Sequence, residues 1–177
     1  MSAADPKRQL CTFRVEGRTY GVDVLTVQEV HPQQKMTAIA HAPPAVRGLV
    51  NVRGQVYLVL DLARLLGGPR SELRPTSHLF LFTEAIGPAF GVLADEVLDV
   101  VDVELERRMK AHATNDSPGV RPGAEAITEG VYVLPGGLVV ELSPRRMLTA
   151  LQRPSGAEAQ SDSRERSSPA WTKRNAS

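Results

Sequence analysis

Residues 46–66, VRGLVNVRGQVYLVLDLARLL, constrain the fold more than any other stretch. Two short apolar runs are separated by Arg53-Gly54 and followed by Asp61, which reads as strand, turn, strand and a short Asp-capped helical turn over Leu62–Leu66. Val50, Val52, Val56, Leu58 and Leu60 fall on one face by period-two alternation, and Asn51, Arg53, Gln55 and Tyr57 on the other. Keeping that parity across the turn requires an odd loop, Arg53-Gly54-Gln55. Val52 then faces Val56, and Val50 faces Leu58. The pattern alone suits any β-hairpin of any small barrel.

The rest of the chain repeats this grammar. LCTFRV, Glu16-Gly17 and RTYGVDV form a first hairpin whose two-residue loop sets Val15 beside Arg18, Phe13 beside Tyr20 and Cys11 beside Val22. Val24, Val27 and Val30 are near helical spacing and suggest a short helix over VLTVQEV. Lys35–Ala40 reads as a strand stopped by Pro43-Pro44. Residues 67–77 form a loop, followed by strands at His78–Thr83, Ala89–Leu93 and Val97–Val103. Residues 106–128 read as a long loop broken by Pro and Gly. GVYVLPGGLVVEL is a last hairpin turning at Pro135-Gly136-Gly137, and a helix runs from Ser143 to about Leu151. Nine or ten short strands with only short helices predict an all-β barrel or pair of barrels. The polar arm 1–7 and the Ser/Arg-rich tail 153–177, which holds Trp171, are expected to be unstructured.

Composition bounds the function. The 177 residues suit one domain, and apolar content of 42% with 23% charge is ordinary for a soluble protein. Net charge is +1, and with the tail set aside the body holds 16 basic and 17 acidic side chains. A nucleic-acid binder would show a basic stripe with stacking aromatics, but aromatics are 5%. The single Cys11 allows no internal disulfide, lies on a strand face with Phe13 and Val15, and reads as a buried thiol in a reducing compartment. No apolar run approaches the length of a membrane span, and MSAADPKRQL lacks a signal-peptide core, so the expected location is cytoplasmic.

Catalytic chemistry finds no support. The phosphate-cradling glycine motifs and the nucleophile elbow are absent. His31, His41, His78 and His112 are scattered without ligand spacing, so no metal or other cofactor is expected. The acidic run Asp95, Glu96, Asp99, Asp102, Glu104 alternates with valines and reads as a solvated face. What remains is an outward set, Glu29, Arg53, Gln55 and Tyr57. Either it is the ordinary polar side of half-buried strands, or Arg53 at a hairpin tip makes charge-assisted bonds to a partner.

The wording of these segments, taken in order, resembles CheW-like domains. The order is F-x-V-x-G-x-x-Y-G-V-D, VQEV, a proline-marked loop, RGLVNVRGQV, LDL, FGVLADEVLDVVDV and the final LPGGLVVEL before a short helix, spread over about residues 8–152. The resemblance implies two packed, five-stranded SH3-like β-barrels without catalytic function. It also implies a bridge between the helical-hairpin tips of chemoreceptors, seated in a groove between the barrels, and the regulatory domain of a CheA-type histidine kinase. The protein would then lie at the inner face of the membrane through receptor arrays, without inserting into it. By motif, Glu29 and Arg53 match positions associated with the receptor groove. Val27 and Val30 are their apolar neighbours, Asn51 is a structural residue of the same motif, and Gln55 and Tyr57 complete an exposed face. Some features depart from the pattern: NVRG where NLRG is commoner, Tyr57-Leu58 where Val-Pro is common, and the extra tail. They point to an alternative, a scaffold in a chemosensory pathway whose output is not swimming. A small-barrel nucleic-acid binder is a further alternative.

Overall fold

The structure is a computed structural model that describes residues 7–33, 35–109 and 120–152. The arm 1–6, part of the expected long loop (110–119) and the tail with Trp171 lie outside the described residues.

The chain starts one sheet, leaves to build a second, and returns to finish the first. β1 (Lys7–Val15) and β2 (Arg18–Asp23) open barrel one. β3 (Val27–Pro32), β4 (Val46–Val52), β5 (Gln55–Asp61), β6 (His78–Phe82) and β7 (Phe90–Ala94) make barrel two. β8 (Glu96–Glu104), β9 (Thr128–Leu134) and β10 (Gly137–Leu142) complete barrel one, and the helices α1 (Leu62–Leu65) and α2 (Pro144–Gln152) follow β5 and β10. The sheet orders are β8-β1-β2-β10-β9 and β3-β6-β7-β5-β4, five strands each, so the all-β architecture of two SH3-like barrels is observed. In both orders the fourth strand runs parallel to the third and antiparallel to the fifth. The barrels are therefore one pattern used twice: β3 corresponds to β8, β6 to β1, β7 to β2, β5 to β10 and β4 to β9.

Each sheet is closed in the same way. The chain beyond the first edge strand crosses to the last and forms a single antiparallel bridge, Thr37 with Leu49 in barrel two and Met109 with Val131 in barrel one. Each bridge is a pair of backbone bonds, at 2.8 Å and 2.9 Å respectively. The crossing segment passes over the residue just before the bridged one, and in both barrels that residue is a glycine. A Cβ on Gly48 would stand 2.3 Å from the Thr37 carbonyl oxygen, and one on Gly130 would stand 2.5 Å from Arg108 Cγ. Closure satisfies edge groups that would otherwise invite foreign strands.

The main core lies between the barrels. Phe13 of β1 meets Phe80 of β6 with ring centroids 4.7 Å apart, and Leu60, Leu62, Phe82, Phe90 and Met147 surround them. Smaller clusters lie elsewhere, Val50, Val52, Tyr57, Val59, Leu79, Leu81 and Leu93 in barrel two, and Leu10, Val103, Tyr132 and Val139 in barrel one. Cys11 is buried in the shared core, and burial pushes its thiol up.

Asp61 caps α1 through its contact with the Arg64 amide at 3.2 Å, as the sequence predicts. It also accepts from the Ser71 amide and hydroxyl at 3.0 and 2.8 Å, which pins the loop 67–77 against the barrel. The first hairpin has the predicted register, with Val15 opposite Arg18, Phe13 opposite Tyr20 and Cys11 opposite Val22.

Four local expectations are corrected. The 53–54 turn has two residues, both at positive φ (53° and 88°), so Val52 pairs with Gln55 and Val50 with Tyr57. An even loop flips the parity. Tyr57 is buried at 3% exposure, while Val56 is thrown outward at 51%. β5 has apolar contacts on both faces, Tyr57 and Val59 toward one cluster and Leu58 and Leu60 toward the other, and such a strand carries no period-two signal. VLTVQEV is a single 3₁₀ turn, Val24–Thr26, and then β3. The register of β3 shifts between Val27 and Glu29, so Val27 and Val30 both pack on the main core three residues apart, which mimics helical spacing. In place of a strand at Lys35–Ala40 there is the lone Thr37 bridge. The last hairpin turns on Pro135-Gly136, because Gly137 already pairs with Leu134.

Candidate interaction site

The β4–β5 turn is a type I′ hairpin tip with a non-glycine residue, Arg53, at its first left-handed position. Such a backbone is uncommon for arginine. Two contacts hold it: the Asn51 side-chain oxygen accepts from the Gly54 amide at 2.8 Å, and Arg53 Nη2 reaches Glu29 Oε1 at 2.8 Å. Asn51 is thus a turn-former, the structural role that the motif implies for it.

Glu29 comes from β3 and Arg53 from the turn between β4 and β5, at opposite edges of the sheet, so their ion pair spans the barrel seam. His31 Nε2 lies 2.8 Å from the same Glu29 oxygen. Two nitrogen-bearing side chains thus approach one carboxylate oxygen, and the His31 nitrogen makes no hydrogen bond. The Arg53 side chain is 77% exposed and that of Glu29 is 29%. At that exposure the pair contributes well under about 1 kcal/mol to folding, so its consequence is orientation of the guanidinium. Its N–H donors stand at an exposed hairpin tip.

A second relay stands beside the tip. The buried Tyr57 hydroxyl donates to Gln55 Oε1 at 2.9 Å, and Gln55 Nε2 donates to Glu84 Oε1 at 3.1 Å. Tyr57 is therefore a support beneath the surface and Gln55 its half-buried link to Glu84. Sequence reasoning missed His31 and Glu84; the i, i+2 spacing of Glu29 and His31 on a strand was the available signal for the first. Val27 and Val30 are half-buried on β3 beside Glu29. Of the seven candidates, Glu29, Asn51, Arg53 and Gln55 meet at one tip and seam, Tyr57 lies underneath, and Val27 and Val30 flank Glu29 on β3 while packing on the main core.

A different cluster sits in barrel one. Glu141, 1% exposed, faces Arg8 Nη1 at 2.8 Å and Arg108 Nη1 at 3.7 Å, and accepts from the Tyr132 hydroxyl at 3.2 Å. Burial raises the Glu141 carboxyl above the ordinary range despite both arginines. Burial, with the Glu141 charge second, pushes Tyr132 up to about 12. The Glu141 carboxylate is buried among Arg8, Arg108 and Tyr132. Among the described residues no set of three or more His, Cys, Asp or Glu converges as a metal ion would require, and no helix is long and apolar enough to cross a membrane.

Known proteins resemble this chain in sequence and in fold. The chain is 31% identical to a probable chemotaxis protein CheW of Rhizobium etli over 97 residues, 54% of this chain and 61% of that one. It is 34% identical to the protein FrzA of Myxococcus xanthus over 95 residues, 54% of this chain and 59% of that one. The chain thus spans about three fifths of the length of these relatives. The crystal structure of the scaffolding protein TtCheW from Thermoanaerobacter tengcongensis superposes with a TM-score of 0.70 at 18% identity, covering 83% of this chain and 91% of that one, which shows the fold. The CheW-like domain description matches residues 9–152, and with two closed five-stranded barrels already in view, this chain belongs to the CheW-like domain family.

Proposed function

We propose that this protein is a non-enzymatic adaptor that couples the helical-hairpin tips of chemoreceptors to the regulatory domain of a CheA-type histidine kinase. Residues 8–152 act as the working unit. The observation that carries the reading is the Glu29–Arg53 pair at 2.8 Å across the seam of barrel two. Two residues far apart in sequence, each matching a receptor-groove position, meet and leave an exposed guanidinium at the tip. An exposed arginine paired with a carboxylate across the seam suits a helical partner that carries carboxylates. The kinase regulatory domain, itself barrel-shaped, would meet an exposed apolar barrel surface. Such an adaptor acts by position and valency, at the inner face of the membrane through the receptors it holds.

The test is Arg53→Glu. Because the side chain is 77% exposed, the variant should keep its urea midpoint within about 1 kcal/mol of wild type, yet lose at least tenfold in affinity for a receptor-tip fragment. A variant that unfolds, or one that binds unchanged, sinks the reading. Similarity to FrzA, a relative whose name does not state chemotaxis, favours a second version in which the same scaffold serves a pathway with an output other than swimming.

A further inference from the structure

The first turn of α2 has donors that the chain itself leaves unused. Ser143 stands at the N-cap: its carbonyl accepts from the Met147 amide at 3.1 Å, and its own amide donates to the Ile127 carbonyl at 2.8 Å. A serine at this position ordinarily turns its hydroxyl onto the amide two or three residues on. Here it does not. Ser143 is 9% exposed, and among the described residues its hydroxyl has no hydrogen-bond partner. Pro144 has no amide hydrogen, and the Arg145 and Arg146 amides that open this nine-residue helix find no acceptor among the described residues. One buried hydroxyl and two main-chain amides are left over.

These residues border a cavity. Ser143, Arg145 and Arg146 line a recess of about 250 Å³ together with Arg8, Asp23 and Glu129. That volume is below the roughly 300–1,000 Å³ of sites for drug-sized ligands, so it suits a small ion. The charges favour one sign. Arg8 sits between Asp23 at 2.7 Å and Glu141 at 2.8 Å, and Glu129 lies 3.6 Å from Arg146. Arg145 has no carboxylate among the described residues, its guanidinium donating to the Ala85 carbonyl at 3.1 Å. An unmatched cation thus stands beside the positive end of a helix, which is where anions bind.

We infer that this recess binds a small oxyanion of the phosphate type, held by the Ser143 hydroxyl, the Arg145 and Arg146 amides and the Arg145 guanidinium. An oxyanion accepts from all of them at once, whereas a neutral molecule would leave Arg145 unmatched. The site lies astride the junction of the barrels. Arg145 reaches the β6–β7 turn of barrel two through Ala85, and Arg146 reaches the Thr128 carbonyl of barrel one at 3.0 Å. The occupant therefore adds a tie between the two. None of these residues belongs to the Arg53 tip, so the inference stands apart from receptor coupling.

The experiment is isothermal titration of the full chain with inorganic phosphate at constant ionic strength, chloride being the balancing anion. Saturable binding of one phosphate per chain is expected. Ser143→Ala should weaken it about tenfold or more, because a hydrogen bond to a charged group is lost. The same variant should keep the urea midpoint of the phosphate-free protein, since the hydroxyl makes no bond there. Arg145→Gln should weaken binding similarly, and Ser143→Asp, which sets a carboxylate of its own at the helix start, should remove it. Absence of saturable binding, or binding that survives Ser143→Asp or is indifferent to both Ser143→Ala and Arg145→Gln, overturns the inference. So does a Ser143→Ala protein that loses stability without phosphate and keeps its phosphate affinity, because that serine is then only a cap.

Discussion

Adding one methyl group at Gly48 tests the account of barrel closure most directly. Built on the backbone, that Cβ would lie 2.3 Å from the Thr37 oxygen and 2.9 Å from its carbonyl carbon. Both are main-chain atoms, so no side-chain rotation relieves the clash, and the 37–49 bridge itself must open. Two backbone hydrogen bonds are then lost, at about 1 kcal/mol each. A side chain at φ of +148° adds strain of about 1–2 kcal/mol, so Gly48→Ala should cost about 3–4 kcal/mol. Gly130→Ala meets Arg108 Cγ and Cδ at 2.5 and 2.6 Å, which can swing aside, and the Met109 oxygen at 3.0 Å; about 1–2 kcal/mol is expected. Gly54→Ala, at φ of +88° with nothing within 4 Å, should cost about 1 kcal/mol from backbone strain alone. Urea unfolding midpoints of the three variants read the order directly, and the Gly48 variant should melt about 6–15 °C below wild type. If Gly48→Ala costs no more than Gly54→Ala, the glycine is not there to admit the closing segment and the account is wrong.

Two further expectations follow from buried groups. Asp61→Ala removes the acceptor for the Arg64 and Ser71 amides and the Ser71 hydroxyl, and leaves Arg47, only 10% exposed, with the Ser71 carbonyl but without its carboxylate 3.4 Å away. A loss of about 3–5 kcal/mol is expected by chemical denaturation, with protease sensitivity rising first in the loop 67–77. Tyr132 holds its proton up to about 12 in the folded protein but only to about 10 when unfolded, so the native state binds more protons between those values. Stability conferred by this group is complete below about pH 10 and is lost as pH rises toward 12. Tyr132→Phe should flatten that alkaline decline in unfolding free energy, and an unchanged slope would assign it to other groups.

Local chemistry explains which elements were legible in the residues. Glu16-Gly17 between alternating apolar runs specifies its own two-residue turn and register, Asp61 before Leu62 specifies a cap, and the ordered segments from Phe13 to Leu142 specify the family. The errors share a cause. β5 is covered on both sides, so alternation could not say which way Tyr57 points. The register shift in β3 puts Val27 and Val30 on one face at helix-like spacing. An arginine in a left-handed turn position is disfavoured locally and is tolerated because Asn51 and Glu29 hold it there. In each case a neighbour distant in sequence outweighed a local preference.

The same division applies to the candidate site. The sequence by itself determined its membership: an arginine at a turn, a glutamate among valines, and no catalytic or metal-binding motif to compete with them. Only the tertiary structure decided that Glu29 and Arg53 touch and that Tyr57 lies beneath rather than beside them. Those facts depend on closure of each sheet, which brings its first and last strands together through pairings between residues distant in sequence, and period-two and turn signals do not encode such pairings.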